Sequence, residues 1–249
     1  MTDWLAFHVP APASWARLFC LPHAGGSASL FRTASGAGTG HRGVPGAAPR
    51  PGEPPSRAAP ARAAGRHRPL VDVLAKHTDK PYALFGHSMG ALLAYELTRA
   101  LRERGLPAPL HLFVASYRAP HTLQAHAPAT ATHDIDASEA RRLGESRAVS
   151  GEMAEELLTL MRTTMLADTA VCEGYSWKPG PVLACPLSAF RGFDDYVPDD
   201  ATEAWRQLTS GPFATQTFLG DHFFLRQTPR GLLQNIRRSL TRLRPASTR

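Results

Sequence analysis

A five-residue pattern, Gly-His-Ser-Met-Gly at residues 86–90, constrains this chain more than any other feature. An apolar run of strand character, residues 82–85, precedes it, and a run rich in alanine and leucine, residues 91–97, follows it. Between a strand and a helix this spacing predicts a nucleophile elbow, because small residues two before and two after the serine let strand and helix approach closely. The alternative is chance, since patterns with three fixed positions are common.

An elbow at this place predicts that Ser88 is a nucleophile. The backbone N–H of Met89 would then lie at the N-terminus of the helix, where partial positive charge stabilises an oxyanion. In such hydrolases a second donor comes from a loop after an earlier strand. Residues 23–28, His-Ala-Gly-Gly-Ser-Ala, follow a strand-like run and fit that loop, with an ordinary glycine-rich turn as the alternative. We expect His23 itself to be structural.

Two later strand ends carry the other side chains that a serine nucleophile needs. Residues 186–190 predict a strand, and two adjacent aspartates, Asp194 and Asp195, follow it. Residues 213–219 predict the last strand, and His222 follows it, ahead of a terminal helix. Serine, acid and histidine in this chain order are typical of hydrolases with an elbow, so His222 is the expected base. The alternative for the aspartates is a solvated turn.

Length and composition limit the class of protein. A chain of 249 residues with 43% hydrophobic content favours one large α/β domain, residues 1–249, over the alternative of two small ones. No apolar run approaches the roughly 20 residues of a membrane span, and the N-terminus lacks the features of a signal peptide, so we expect a cytoplasmic protein without membrane association. Three scattered cysteines, Cys20, Cys172 and Cys185, have no metal spacing, and we expect neither a metal nor a cofactor.

Residues 33–68 differ from the sequence around them. They hold six arginines against one acidic residue, Glu53, so that most of the chain's net charge of +7 lies here. Without interleaved aromatic residues this basic segment does not predict nucleic-acid binding. The segment also contains no Leu, Ile, Phe, Tyr, Trp or Met, and such a composition buries too little apolar surface to offset the entropy of ordering.

We therefore expect residues 33–68 to be disordered, with a gap in the sheet or a poor substitute strand at residues 43–46. Pro45 has no N–H for a ladder, and the flanking glycines bury nothing. The composition suggests GC-rich coding sequence translated in the wrong frame. A genuine disordered insertion and a proline-rich linker are the alternatives.

Residues 118–180 have the character of an insertion. Its first part predicts a loop, and residues 153–166 predict a helix. Apolar residues recur there at every fourth position and form one face, namely Met153, Leu157, Met161 and Met165. Such a face packs on the core or forms a flexible lid over an acyl channel, because unbranched thioethers adapt to varied chains. The two interpretations overlap, since a lid helix also packs on the core.

Three motifs together resemble the type II thioesterases of polyketide and nonribosomal peptide assembly lines. They are Leu-Pro-His-Ala-Gly-Gly at 21–26, Gly-His-Ser-Met-Gly at 86–90 and Gly-Asp-His-Phe-Phe-Leu at 220–225, with Asp194 and Trp205 between the last two. The resemblance covers about residues 14–32 and 69–243. It implies the α/β-hydrolase fold, a mostly parallel central sheet flanked by helices, with a helical lid at 118–180.

The resemblance also implies a function. A serine hydrolase of this family cleaves acyl thioesters from the phosphopantetheine arm of an acyl or peptidyl carrier protein, and thereby clears stalled units without a cofactor. Carried over onto this chain, it implies a triad of Ser88, Asp194 and His222, with the backbone N–H groups of Ala24 and Met89 as oxyanion donors. Asp194 is preferred because it keeps the family-like spacing, whereas Asp195 requires a shift of one residue.

Two alternatives remain at this point. One is a general carboxylester hydrolase on the same fold. The other is an inactive product, because residues 33–68 stand where the family has a strand and a loop beside the pocket. A binding module without chemistry is disfavoured by three triad candidates in fold order.

Overall fold

Six parallel strands form the central sheet of this computed structural model, which describes residues 14–26, 30–31, 43–45, 70–123 and 152–244. Along the sheet their order is β2-β1-β3-β4-β5-β6, and every neighbouring pair is parallel. The strands are β1 (Arg17–Leu21), β2 (Gly43–Pro45), β3 (Tyr82–His87), β4 (Leu112–Ala115), β5 (Leu187–Gly192) and β6 (Phe213–Phe218). Strand β2 lies on one side of β1, and β3 to β6 follow in sequence on the other side. Strand β3 is therefore one of the two central strands.

The inner strands are apolar on both faces because helices cover both faces. Every residue of β3 and β4 is buried. Alternate side chains enter two separate clusters: Leu84 and Leu112 pack on one side with Trp205, while Phe85 and Phe113 pack on the other. This is the mostly parallel, helix-flanked sheet that the sequence predicted.

Five labelled helices accompany the strands. They are α1 (Met89–Glu103), α2 (Glu152–Glu173), α3 (Asp199–Glu203), α4 (Phe224–Gln227) and α5 (Pro229–Arg242), and residues 70–75 are also helical. Helix α1 ends at Glu103, and Gly105 just past it adopts a φ of 66°, a left-handed conformation that glycine adopts readily at the end of a helix. In the part of the chain described here, no helix is long and apolar enough to cross a membrane.

Strand β2 is the substitute that the sequence allowed within residues 33–68. Its three residues pair with β1, Val44 opposite Phe19, at one edge of the described sheet. Proline is tolerated on an edge strand, which explains how Pro45 can take part. The rest of residues 33–68 lies outside the described residues, so disorder there stays a prediction.

The helix predicted over residues 153–166 is confirmed and extends further, as α2. Met165, near its middle, is buried in a small cluster with Ala24, Met89 and Phe223. Helix α2 therefore reaches the first residue of the elbow helix. The side chains of Met153, Leu157 and Met161 lie outside the described residues, and a channel formed by them stays a prediction.

Candidate active site

Ser88 lies at a strained turn between β3 and α1, as an elbow requires. Its φ of 54° and ψ of −124° fall outside the regions that ordinary residues prefer. A Cβ on Gly86 would collide with the carbonyl oxygen of Gly90, and a Cβ on Gly90 would collide with that of Leu21. The pattern at residues 86–90 thus has its steric cause in the close approach of α1 to β3 and β1, and the elbow is confirmed.

His222 lies in the loop between β6 and α4, with its side chain buried. Its Nδ1 atom is 3.0 Å from Oδ1 of Asp195. An ionised carboxylate only accepts hydrogen bonds, so Nδ1 carries the proton and Nε2 presents its lone pair. This is the tautomer in which an imidazole can act as a general base.

The partner of His222 is Asp195 and not Asp194, so the expected acid was wrong by one residue. Gly192 to Asp195 form a tight turn, closed by a hydrogen bond from the Asp195 N–H to the Gly192 carbonyl oxygen. The Asp194 N–H donates to the Gly220 carbonyl oxygen, and its side chain is exposed. The turn therefore directs Asp194 to solvent and returns Asp195 to the buried end of β5.

Asp195 is held as a charged acceptor. Its Oδ1 also receives a hydrogen bond from the Val197 N–H at 3.1 Å. Burial raises the pKa of Asp195, but the hydrogen bond and the charge of His222, with smaller contributions from Ser116 and the Val197 amide, outweigh burial and leave the pKa below its ordinary value. The carboxylate is consequently ionised at neutral pH.

The Nε2 atom of His222 is engaged by Tyr196. The Tyr196 hydroxyl lies 3.1 Å from Nε2, and the two rings stack with centroids 4.5 Å apart. Because Nδ1 holds the ring proton, the tyrosine O–H is the donor of this bond. Tyr196 is 46% exposed, so it covers the base from the solvent side.

Two further side chains hold the backbone of His222. The His87 Nε2–H donates to the His222 carbonyl oxygen at 2.8 Å, and the Ser116 hydroxyl donates to the same oxygen at 3.1 Å. Burial, together with the nearby His222 and His23 rings, keeps the pKa of His87 well below its ordinary value, so His87 is neutral and able to serve this bond. Ser116 shares with Ser88 a φ of 54°, and lies at the end of the adjacent strand β4.

The candidate oxyanion loop approaches the elbow from β1. Ala24 and Met89 are buried in the same cluster, so the structure brings the two expected donor residues together. His23 packs edge-on against His87 and Phe223, with ring centroids 5.5 and 5.1 Å apart, which agrees with a structural role. That the N–H groups of Ala24 and Met89 bind an oxyanion stays a prediction.

Sequence reasoning missed Tyr196, Ser116 and the contact of His87. Ser116 directly follows an apolar strand, as the aspartates do, and this position was the available signal. The contact of Tyr196 depends on how two loops meet, and that of His87 on how the end of β3 meets the loop that holds His222, and the sequence holds no pattern for either. Among the described residues, no group of three or more His, Cys, Asp and Glu side chains could hold a metal ion.

Comparison with known proteins identifies the family. Residues 16–240 match the family model of the thioesterase domain. The chain belongs to the thioesterase family. Thioesterase PikA5 of Streptomyces venezuelae is 35% identical over 238 residues, which cover 89% of this chain and 80% of that protein. The "Probable cadicidin biosynthesis thioesterase" of Streptomyces griseus is 35% identical over 237 residues, and this chain spans only 62% of its length.

Solved structures agree with this assignment. The type II thioesterase BorB from the borrelidin biosynthetic cluster superposes with a TM-score of 0.78 at 31% identity, over 98% of this chain and 99% of that one. The thioesterase described here thus has the α/β-hydrolase fold and is a serine hydrolase. YbtT, a type II thioesterase from the yersiniabactin NRPS/PKS biosynthetic pathway, superposes with a TM-score of 0.72 at 29% identity, over 93% of this chain and 95% of that one, which agrees with the resemblance seen in the sequence motifs.

Proposed function

We propose that this thioesterase hydrolyses acyl groups from the phosphopantetheine thiol of an acyl or peptidyl carrier protein, through a covalent acyl intermediate on Ser88. The observation that carries the proposal is the pair Asp195–His222, which leaves a lone pair on Nε2 at the end of the sheet where the elbow presents Ser88. The names of the relatives support the carrier-bound substrate. We place the reaction in the cytoplasm, with carrier proteins of a biosynthetic assembly line as partners.

Acylation begins when His222 takes the proton of Ser88 as its oxygen attacks the thioester carbonyl. Asp195 keeps the imidazole oriented and stabilises the imidazolium. The N–H groups of Met89 and Ala24 stabilise the tetrahedral oxyanion. When the intermediate collapses, the C–S bond breaks and the thiolate of the phosphopantetheine arm leaves, taking up the proton of the imidazolium, so that His222 is neutral again before deacylation.

Deacylation repeats these steps with water. His222 takes a proton from a water molecule, whose oxygen attacks the acyl-Ser88 carbonyl. The second tetrahedral intermediate collapses, Ser88 regains its proton from His222, and the free acid departs. Before either attack the Tyr196 hydroxyl has to leave Nε2, since one lone pair cannot accept both protons.

The test is hydrolysis of an acyl-phosphopantetheinyl carrier protein by the full chain beside its Ser88→Ala variant. We expect release of the free acid by the wild-type protein and none above background by the variant. An oxygen ester of the same acyl group is the matched control substrate. Preference for the oxygen ester would favour a carboxylester hydrolase, and a wild-type protein that folds but releases no acid from either substrate would contradict the proposal.

A further inference from the structure

A buried carboxylate on helix α2 contacts the loop that approaches the elbow. Asp168 is 5% exposed, and its Oδ2 accepts a hydrogen bond from the Gly25 N–H at 3.0 Å. The two residues are 143 positions apart in the chain, so this bond joins the lid insertion to the loop after β1. A buried carboxylate is costly unless it is hydrogen-bonded, which indicates that the contact is specific.

Helix α2 also presses on the same residue with an apolar side chain. Gly25 adopts a φ of 70°, and a Cβ placed on it would lie 2.9 Å from the Cβ of Met165. Met165 and Asp168 are three residues apart, so they project from one face of the helix. One face of α2 thus contacts Gly25 through both packing and a hydrogen bond.

We propose that Asp168 is a positioning residue that holds the oxyanion loop in its active geometry. This inference rests on the proposed function, in which the Ala24 N–H stabilises the oxyanion. The peptide plane that contains the Gly25 N–H is adjacent to the one that contains the Ala24 N–H, and the two are joined at the Cα of Ala24. Fixing the Gly25 N–H on Asp168 therefore restricts the direction in which the Ala24 N–H points.

The bond to Asp168 also separates the roles of two neighbouring amides. The Gly25 N–H is committed to the carboxylate, which leaves the Ala24 N–H as the donor from this loop. The negative charge of Asp168 is no help to an oxyanion nearby, because like charges repel. What the loop needs from this position is an acceptor atom, and an uncharged acceptor of the same shape satisfies that need.

A consequence is that the lid helix and the chemical step are coupled. When α2 is seated, Asp168 and Met165 fix Gly25 and the oxyanion donor is in place. When α2 lifts to admit an acyl chain, the loop loses both contacts. A bound acyl group is therefore hydrolysed at the full rate once α2 has packed on Gly25 again.

The experiment compares three single variants in the full chain. Asp168→Ala removes the acceptor, and Asp168→Asn keeps an acceptor of the same shape without the charge. Val171→Ala is the matched control, because Val171 is buried on the same helix and its truncation weakens packing while leaving the Asp168 carboxylate in place. For each variant we would measure kcat and KM for the carrier thioester per folded active site, together with the unfolding temperature.

Two ligands separate oxyanion stabilisation from substrate binding. A trifluoromethyl ketone of the acyl chain forms an oxyanion with Ser88, whereas a thioether of the same chain binds without forming one. We expect Asp168→Ala to lower kcat about tenfold, less than loss of an oxyanion donor itself. The same variant should bind the ketone more weakly by a similar factor and bind the thioether with an affinity within twofold of wild type. Asp168→Asn and Val171→Ala should keep kcat near wild type.

Several outcomes would overturn the inference. One is a kcat for Asp168→Ala within twofold of wild type. Another is an equal loss of affinity for the ketone and for the thioether in that variant. A third is an equal loss of kcat in Asp168→Ala and Val171→Ala. Hydrogen exchange at the Gly25 amide adds a readout that needs no turnover. If the wild-type chain hydrolysed no thioester, the proposed function would fail, and unchanged Gly25 protection in Asp168→Ala would separately refute the loop contact.

Discussion

The proposed active site has two sides, called here the base side and the oxyanion side after the roles proposed for His222 and Ala24, and they are built in different ways. On the base side, the His222 ring and carbonyl are held by Asp195, His87, Ser116 and Tyr196, all of which lie on or just after strands of the sheet. On the oxyanion side, the loop after β1 is held at Gly25 by Asp168 and Met165, and both belong to helix α2 of the insertion.

The difference teaches which side can move. Strand ends are fixed by ladders on both sides and by a buried core, so the His222 ring and its carboxylate partner are positioned before substrate arrives, and only the Tyr196 hydroxyl has to move. A loop that depends on one helix of an insertion shares the mobility of that helix. We infer that substrate entry and acyl-chain preference act on the oxyanion side, while proton transfer is insulated on the base side.

The largest expected effect comes from Ser88, where the two sides meet. Ser88→Ala should lower kcat by about 10³-fold to 10⁶-fold, because neither side has a nucleophile to act on. The unfolding temperature should change little, since the hydroxyl is small. Rates of acid release from purified protein check this, and an intact rate would remove Ser88 from the mechanism.

Asp195→Asn should be next, with a loss on the order of 10⁴-fold, because an amide in place of the carboxylate favours the wrong tautomer of His222. Asp194→Asn is the matched control one residue away. It should stay within about twofold, as expected for an exposed side chain without contact to the base. Comparable losses in the two variants, or a larger loss at Asp194, would restore the expectation from the sequence.

Gly25→Ala tests the oxyanion side at its backbone. An alanine there needs a φ of 70° and room that Met165 occupies, so the loop should shift and kcat should fall on the order of 10-fold to 100-fold. Gly105→Ala is the control, because its φ is 66° but nothing lies within 4 Å of the added Cβ. If both variants lose only stability, the loop after β1 contributes no oxyanion donor.

The same contrast explains what could be predicted from the sequence. The elbow, the strand that enters it and the position of His222 follow from short-range patterns, since a strand, a turn and a helix are adjacent in the chain. The choice between Asp194 and Asp195 depends on one turn, whose hydrogen bonds to β6 the sequence does not display. Asp168 lies past the end of the helix predicted over residues 153–166, and no pattern in the sequence marked it as a buried contact.

Lowering the pH should destabilise the fold by protonating two buried neutral histidines, His87 on the base side and His111 away from it. Burial lowers the pKa of His111, at the opposite end of the sheet, to about 4, and burial beside His222 and His23 holds that of His87 well below its ordinary value. Both protonate near pH 6.5 when the chain is unfolded. The unfolded state then binds more protons, so the free energy of unfolding should fall by about 1.4 kcal/mol per pH unit per histidine below that pH, down to about pH 4 for His111.

Urea unfolding at several pH values would measure this slope in wild type, His111→Gln and His87→Gln. Each variant should lose one histidine's share of the slope. Only His87→Gln should also lower kcat, because only His87 supports the His222 carbonyl. If neither variant changed the slope of the unfolding free energy against pH, other groups would bind the protons. Equal kcat values in both variants would show that His87 does not support the base.

The smallest expected effect is a gain of rate on the base side. In Tyr196→Phe the ring still stacks on His222, but the hydroxyl no longer competes for Nε2. A neutral hydrogen bond contributes about 1 kcal/mol, so kcat/KM should rise about fivefold or less. Tyr175→Phe is the control, since it deletes a hydroxyl that bonds Glu96 away from the base and should leave the rate unchanged. A fall in the Tyr196→Phe rate would mean that the hydroxyl orients the imidazole during turnover. The base side would then depend on the half-exposed loop that carries Tyr196, much as the oxyanion side depends on helix α2.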